Sequence, residues 1–338
     1  MAVPVVTGGI RWGILGTANI ARASFLPGLR AAGGICVAVA SRDASKAEQW
    51  AARQGVERVV QGYNALLADD SIQAVYIPLP NHMHAGWTIA ALRAGKTVLC
   101  EKPLCATVGE TRTVLEAARD TGGLLWEAFV FPFHRQMDRV RDLVADGAIG
   151  DVREIQSNFY FQLRDRQNIR LSRAMAGGAL NDVGCYCLRL AEFIFGGAAD
   201  GAVALPVWAP EGVDEEMSGI ASYGDGRRLV FSCGLMRPYD TFARLIGTEG
   251  EIRLVNPYHP SQADHIEIRQ SNRETIERLT DSAPSFTRAI EHIHTVLRGE
   301  ERPRHLAAHD SLITARDIEL LRAAMDAPRV GSSSAERV

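Results

Sequence analysis

The side chains and backbone segments able to do chemistry in this chain are concentrated in one turn, one strand end and three short motifs. The turn reads Gly16-Thr17-Ala18-Asn19-Ile20-Ala21 and follows an apolar run from Arg11 to Leu15. In a dinucleotide-binding turn the first glycine permits the sharp bend, the second lets the backbone approach a pyrophosphate, and the third position needs a small side chain for close packing. Those places hold Gly16, Ala18 and Ala21, so the second glycine is missing. The context supports a phosphate cradle all the same. A strand leads in, a helix leads out, and the helix amino terminus offers N–H groups and a positive dipole. A tight turn of this kind can also be purely structural.

The strand end follows Ile35 to Ala40 and carries Ser41 and Arg42, with Lys46 one helical turn later. A carboxylate there binds a ribose 2′-hydroxyl, whereas an arginine accommodates a 2′-phosphate. We therefore expect NADP(H) rather than NAD(H), with Asp43 read as the start of a helix and not as a ribose ligand. The three motifs are Pro78-Leu79-Pro80-Asn81-His82-Met83-His84-Ala85, Cys100-Glu101-Lys102-Pro103-Leu104 and Gly177-Gly178-Ala179-Leu180-Asn181-Asp182-Val183-Gly184-Cys185-Tyr186. Two of them follow parallel strands at their carboxyl ends, where open α/β sheets bind ligands. Cofactor contacts are accordingly expected from Pro80, Asn81, His84, Glu101 and Lys102, beside those from Gly16 to Ile20. His82 and His84 lack a third ligand at metal-binding spacing, so no metal is expected.

The elements that position these groups divide the chain in two. Strands at Arg11 to Leu15, Ile35 to Ala40, Ala74 to Leu79 and Thr97 to Cys100 alternate with helices, the later ones at Ala85 to Ala94 and about Thr107 to Thr121. That alternation predicts a parallel, doubly wound sheet. Beyond Leu125 the pattern changes. Val152 to Phe161 alternates over many residues, and short strands at Ile220 to Tyr223, Leu229 to Cys233, Thr241 to Ile246, Glu251 to Leu254 and His265 to Arg269 predict a large, mostly antiparallel open sheet in an α+β domain. Helices are expected at about Ser285 to Leu297 and Ser311 to Met325. The boundaries read as a Rossmann domain over residues 1–125, a substrate-binding and dimerisation domain over 126–330, and a flexible tail over 331–338.

Composition narrows the function classes. At roughly 100–200 residues per domain, 338 residues suit two domains. With 46% hydrophobic and 23% charged residues the chain has the balance of a globular protein. A net charge of -3 provides no basic footprint for a phosphate backbone, so nucleic acid is not an expected partner. No apolar run reaches the ~18 residues of a membrane span, and Met1 to Gly9 carries no cationic stretch before an apolar core. We expect a cytoplasmic protein with reduced cysteines.

Taken together, the GILGTANIA turn, the NHMHAGW loop, the EKPL and EAFVFPFH motifs, the GGALNDVGCY helix start and the Gly247 to Gly250 GTEG hairpin resemble the glucose-fructose oxidoreductase and inositol dehydrogenase family, Gfo/Idh/MocA. The likeness covers nearly the whole chain and is strongest toward its NADP-dependent sugar and dihydrodiol dehydrogenases. It implies hydride transfer to or from a carbinol carbon of a sugar, cyclitol or related diol, with Lys102 and Tyr186 catalytic. The chemistry agrees, because a carbinol must gain or lose a proton as well as a hydride. A free phenol titrates near 10, and an adjacent ammonium is expected to bring Tyr186 nearer the working pH.

Asp182, four residues before Tyr186, is expected to orient Lys102 or a substrate hydroxyl. Phe161, Asn168, Arg170 and His134 are expected around the substrate. The resemblance further implies a cis Lys102-Pro103 bond and a homodimer, or a higher homo-oligomer, paired through the open sheet. Two other readings share the fold: an NAD-dependent glycosidase that retains its cofactor, and a dinucleotide-sensing regulator without catalysis.

Overall fold

The computed structural model describes residues 9–261, 264–271, 273–279 and 281–326. The expected tail over 331–338 lies outside them. Two sheets organise the chain. The first has six parallel strands, β1 (Arg11–Leu15), β2 (Ile35–Ser41), β3 (Arg58–Gln61), β4 (Ala74–Ile77), β5 (Thr97–Cys100) and β6 (Leu125–Glu127), in the order β3-β2-β1-β4-β5-β6. Its inner strands β4 and β5 are buried on both faces, with no exposed residue. Chain order reverses between β1 and β4, which opens a crevice at their carboxyl ends.

The helices that flank this sheet are α1 (Leu26–Ala31), α2 (Ala44–Gln54), α3 (Tyr63–Leu67), α4 (His84–Arg93) and α5 (Val108–Thr121). Local chemistry sets their starts. Asp43 caps α2 by accepting the Lys46 N–H at 3.1 Å, and Thr107 caps α5 by accepting from Glu110 at 3.2 Å. The carboxylate of Asp43 thus serves the helix start, as the sequence suggested. Between the first turn and α1, residues Ala21–Phe25 wind as a π-type helix.

The second sheet is mostly antiparallel. Helix α6 (Arg135–Ala145) leads to the long strand β7 (Val152–Gln162), and α7 (Cys185–Phe195) follows the loop after it. Then come β8 (Gly201–Trp208), β9 (Asp214–Tyr223), β10 (Arg227–Gly234), β11 (Met236–Gly247), β12 (Gly250–Leu254), β13 (His265–Gln270) and β14 (Arg273–Arg278), in the order β14-β13-β12-β11-β7-β10-β9-β8. Among the described strands of this sheet only β7 and β10 pair in parallel. One face packs on α7 in a core that includes Ile155, Leu188, Leu229 and Leu245. The other stays open, with Val203, Leu205 and Ile220 exposed.

Two helices close the described chain, α8 (Thr287–Leu297) and α9 (Ala307–Met325). Helix α8 returns to the first sheet: Phe286, Ile290 and Ile293 share a core with Trp12, Phe25 and Tyr76. Gly28 permits that return, since a Cβ there would meet Phe286 Cβ at 2.6 Å. No described helix is long and apolar enough to cross a membrane.

Candidate active site

A cleft of about 750 Å³ opens between the β1 turn, the ends of β4 and β5, the loop after β7 and the start of α7. On the cofactor side, Gly16 adopts a left-handed φ of 101°, where a side chain would be strained, and donates its N–H to the Ala40 carbonyl at 2.7 Å. Ala18, Asn19 and Ile20 line the cleft and Ala21 is fully buried. Thr17 is half-buried within the same turn. Ser41 is buried and its hydroxyl accepts the Asp43 N–H, while Arg42 and Lys46 are exposed beyond it.

The β4 loop departs from expectation at one position. Asn81 lines the cleft, yet its amide donates across it to the Ala176 carbonyl at 2.9 Å. Pro80 is half-buried just before it. His84, expected to contact cofactor, is fully buried. Its Nδ1 lies 2.8 Å from the Pro103 carbonyl and its Nε2 2.7 Å from that of Leu79. As the first residue of α4 it points inward and staples the β4 loop to the Lys102 turn, with neither nitrogen left for a ligand. Among the described residues no three His, Cys, Asp or Glu side chains converge as metal ligands.

The catalytic candidates do meet. Lys102 ends β5 in a turn whose bond to Pro103 is cis. Its Nζ donates to the Asp182 carbonyl at 2.7 Å and to Asp182 Oδ1 at 3.0 Å. The other carboxylate oxygen, Oδ2, accepts from Arg170 Nε at 2.6 Å. A π-type turn, Leu180–Gly184, carries Asp182 into this position just ahead of α7. Tyr186, one turn further along, lies with its ring centroid 5.2 Å from Lys102 Nζ.

The electrostatics differ from the simplest expectation. Burial raises the Tyr186 phenol above its ordinary value, and the nearby Lys102 ammonium only partly offsets this. The tuning expected of Lys102 has the expected sign but is outweighed by desolvation. Burial is the largest single influence on Lys102 and opposes its charge, yet Asp182, joined by Tyr186, Cys185 and Glu101, outweighs it and raises the pKa of the ammonium. Desolvation opposes the charge on Asp182 too, yet its two cationic neighbours hold it below the usual carboxylate range. Burial raises Glu101 against the pull of Lys102, and Tyr76 donates its hydroxyl to it at 2.5 Å.

On the substrate side Phe161, Asn168 and Arg170 line the cleft, with the guanidinium 5.8 Å over the Phe161 ring. His134 does not join them. It caps α6, accepting the Gln136 N–H at 3.1 Å, and sits 4.0 Å from the Asp281 carboxylate. Sequence reasoning missed Phe159, His259, Ser285 and Phe286, all in the lining. His259 stands 5.7 Å from the Tyr186 ring, and burial beside the Lys102 charge pushes its pKa down to about 4. The proline-bracketed run Asn256-Pro257-Tyr258-His259-Pro260 at the end of β12 was a signal for it. Ser285 and Phe286 gave none.

A dinucleotide-type turn and a cation–carboxylate–phenol group, placed on opposite walls of one cleft, define an oxidoreductase of the two-sheet, nicotinamide-binding class. Residues 10–129 match the family model described as the oxidoreductase family with an NAD-binding Rossmann fold, and residues 137–253 match that of the GFO/IDH/MocA C-terminal domain. The chain belongs to the Gfo/Idh/MocA oxidoreductase family.

Among its relatives, a D-xylose 1-dehydrogenase (NADP(+)) of Haloferax volcanii is 36% identical over 92% of this chain and 95% of that protein. A dTDP-3,4-didehydro-2,6-dideoxy-alpha-D-glucose 3-reductase of Streptomyces violaceoruber is 38% identical over 94% and 95%. The 3-ketoreductase KijD10 of Actinomadura kijaniata, solved with NADP and TDP-benzene, superposes with a TM-score of 0.85 at 31% identity, covering 94% of this chain and 98% of that one.

Proposed function

We propose that this protein is an NADP(H)-dependent oxidoreductase acting at a carbinol carbon of a sugar or related diol, with Tyr186 as acid/base and Lys102 as its partner. The observation that carries the reading is the placement of Lys102 Nζ between the Asp182 carboxylate and the Tyr186 ring, facing the same cleft as the Ala18–Ile20 turn. The solved relative that holds NADP, and the NADP-dependent xylose dehydrogenase, support the cofactor. So does Arg42 at the end of β2, where a 2′-phosphate would meet it.

When bound, the nicotinamide supplies or accepts the hydride. The chain's residues manage the proton. Tyr186 takes it from the substrate hydroxyl in oxidation and returns it in reduction, while Lys102, kept charged by Asp182, favours the phenolate and holds the substrate oxygen. Arg170 anchors Asp182 from the far side, and His259, neutral at ordinary pH, offers a hydrogen-bonding edge to a further hydroxyl. We also propose that residues 1–125 serve the cofactor and residues 126–330 the substrate and a second copy, the open face around Val203, Leu205 and Ile220 pairing two chains.

The test is NADPH formation over a panel of aldoses, cyclitols and diols with each cofactor. Release of NADPH into solution separates this reading from a glycosidase that retains its cofactor. An active Tyr186→Phe variant would sink the catalytic assignment. Light scattering that finds a monomer at micromolar concentration would sink the dimer.

A further inference from the structure

Helix α9 sends one side chain into the gap between the two segments that carry the catalytic candidates. Arg322, near the carboxyl end of the helix, donates from Nη1 to the Ala106 carbonyl at 2.7 Å and from Nη2 to Asn181 Oδ1 at 2.5 Å. Ala106 lies four residues beyond Lys102, and Asn181 immediately precedes Asp182. One guanidinium therefore spans the turn after β5 and the π-type turn Leu180–Gly184. These two pieces of chain must stay in register for Lys102 Nζ to reach the Asp182 carbonyl at 2.7 Å and its Oδ1 at 3.0 Å.

The amide of Asn181 carries the connection further. Its Oδ1 faces Arg322, so its Nδ2 points the other way and donates to the Ala176 carbonyl at 2.9 Å and to that of Gly177 at 3.3 Å. The same Ala176 carbonyl accepts from Asn81 on the β4 loop at 2.9 Å. Ala176 has a left-handed φ of 56°, which a Cβ disfavours, and two amides meeting on its one oxygen help to hold it there. The start of the π-type turn is fixed separately, because Asp214 Oδ2 accepts the Leu180 N–H at 2.6 Å. Successive residues of the turn are thus tied by Asp214, Arg322 and Lys102.

Neither acceptor of Arg322 is charged. Burial opposes its positive charge against the pull of Asp214 and Glu319. An apolar side chain of similar length would fill the same place without desolvating a charge. What arginine alone supplies is a rigid fork, with N–H groups at a fixed separation aimed at two different segments. Arg322 is not among the residues that line the cleft, so it has no direct part in the chemistry.

We propose that Arg322 is a positioning residue for hydride transfer. It clamps the Lys102 turn to the Asp182 turn and, through Asn181 and Ala176, ties both to the cofactor-side loop at Asn81. The inference rests on the oxidoreductase reading above for the reaction, and on the two hydrogen bonds of one guanidinium for its content.

The test uses the full-length protein and Arg322→Met, which keeps the apolar bulk and removes both donors. With a substrate found in the panel above, kcat should fall by about 10- to 100-fold, the effect of a small misplacement of reacting groups, while NADPH affinity by fluorescence titration stays unchanged. A general loss of folding would not split the two in that way. In a Lys102→Met background the same change should lower kcat by less than about twofold more, because the group that Arg322 positions is already gone. A full additional loss there, or an unchanged kcat in the single variant, overturns the proposal.

A crystal structure of Arg322→Met decides the matter without any substrate. Lys102 Nζ should stand beyond hydrogen-bond reach of Asp182 Oδ1, at more than about 3.5 Å, and a contact retained at its present length overturns the proposal. Failure of every sugar and diol to react with the parent would count against the oxidoreductase reading, and the crystal structure would still decide whether the clamp exists. If Arg322→Met does not fold, Arg322→Lys, which keeps the charge but cannot fork to both acceptors, takes its place in the same measurements.

Discussion

Helix α7 borders two charge clusters, one half-buried on the wall of the cleft and one closed off from it. At its amino end Lys102, Asp182 and Arg170 gather beside Tyr186 on the wall of the cleft. Three residues beyond Tyr186, Arg189 is 3% exposed and lies against Glu192 and Asp310. Glu127 completes this second group, its carboxyl pushed up to about 7 by burial. The ingredients match: cations, paired carboxylates and displaced titration. Yet the second cluster is capped by His305, itself packed between Phe133 and Phe193, and lines no part of the cleft. Perturbed ionisation marks candidates but does not separate catalysis from architecture. An open volume and a proton-bearing group that faces it make the difference. The closed cluster still serves the open one, because Glu127 Oε1 accepts the Leu104 N–H at 2.7 Å and so braces the turn that presents Lys102.

The contrast is breakable by measurement. Tyr186→Phe should lower kcat by about 10²–10⁴-fold, the usual worth of a general acid/base, with NADPH binding unchanged by fluorescence titration. In the closed cluster Arg189→Met should do the reverse. Removing a cation from between Glu192 and Asp310 should cost about 3–5 kcal/mol of stability in urea denaturation, with KM of the folded protein unaltered. A stable but inactive Arg189→Met would erase the distinction.

Glu127→Gln comes next. The folded carboxyl at about 7 lies above its free value of 4.5, so its contribution to stability is full below 4.5 and is lost as pH rises through 7. The variant should escape that loss and gain about 1–3 kcal/mol on the parent between those limits, followed by denaturation at several pH values. The smallest effect belongs to an exposed cation outside both clusters. Arg42→Ala should raise the KM for NADP by about tenfold and leave that for NAD alone, as a hydrogen bond to a charged group is worth about 1.5 kcal/mol.

Much of the frame was legible in local pattern. The strand expected at Arg11 to Leu15 spans those residues, Thr97 to Cys100 likewise, and the cap at Asp43 forms. The elements without a counterpart among the expectations lack such contrast. Strand β14 reads Arg-Glu-Thr-Ile-Glu-Arg at a sheet edge, with four of its six residues exposed, and half of β8 is Gly, Ala and Pro beside its exposed Val and Leu. Neither shows the clean apolar alternation that marks a half-buried strand. In the site, the Rossmann turn and the Lys102 and Tyr186 motifs were visible because each is a short run at the end of an element.

By itself the sequence determined where strands stop and which reactive side chains stand at those stops, since turn geometry, caps and alternation are properties of neighbours along the chain. Only the tertiary structure decided partnership. It brought Asp182 to Lys102 across 80 positions, spent both nitrogens of His84 on backbone carbonyls, and delivered His259 and Phe286 to the cleft. Such meetings depend on how two sheets and their helices pack, and burial at those contacts then set which groups hold charge; neither quantity exists until the chain has folded.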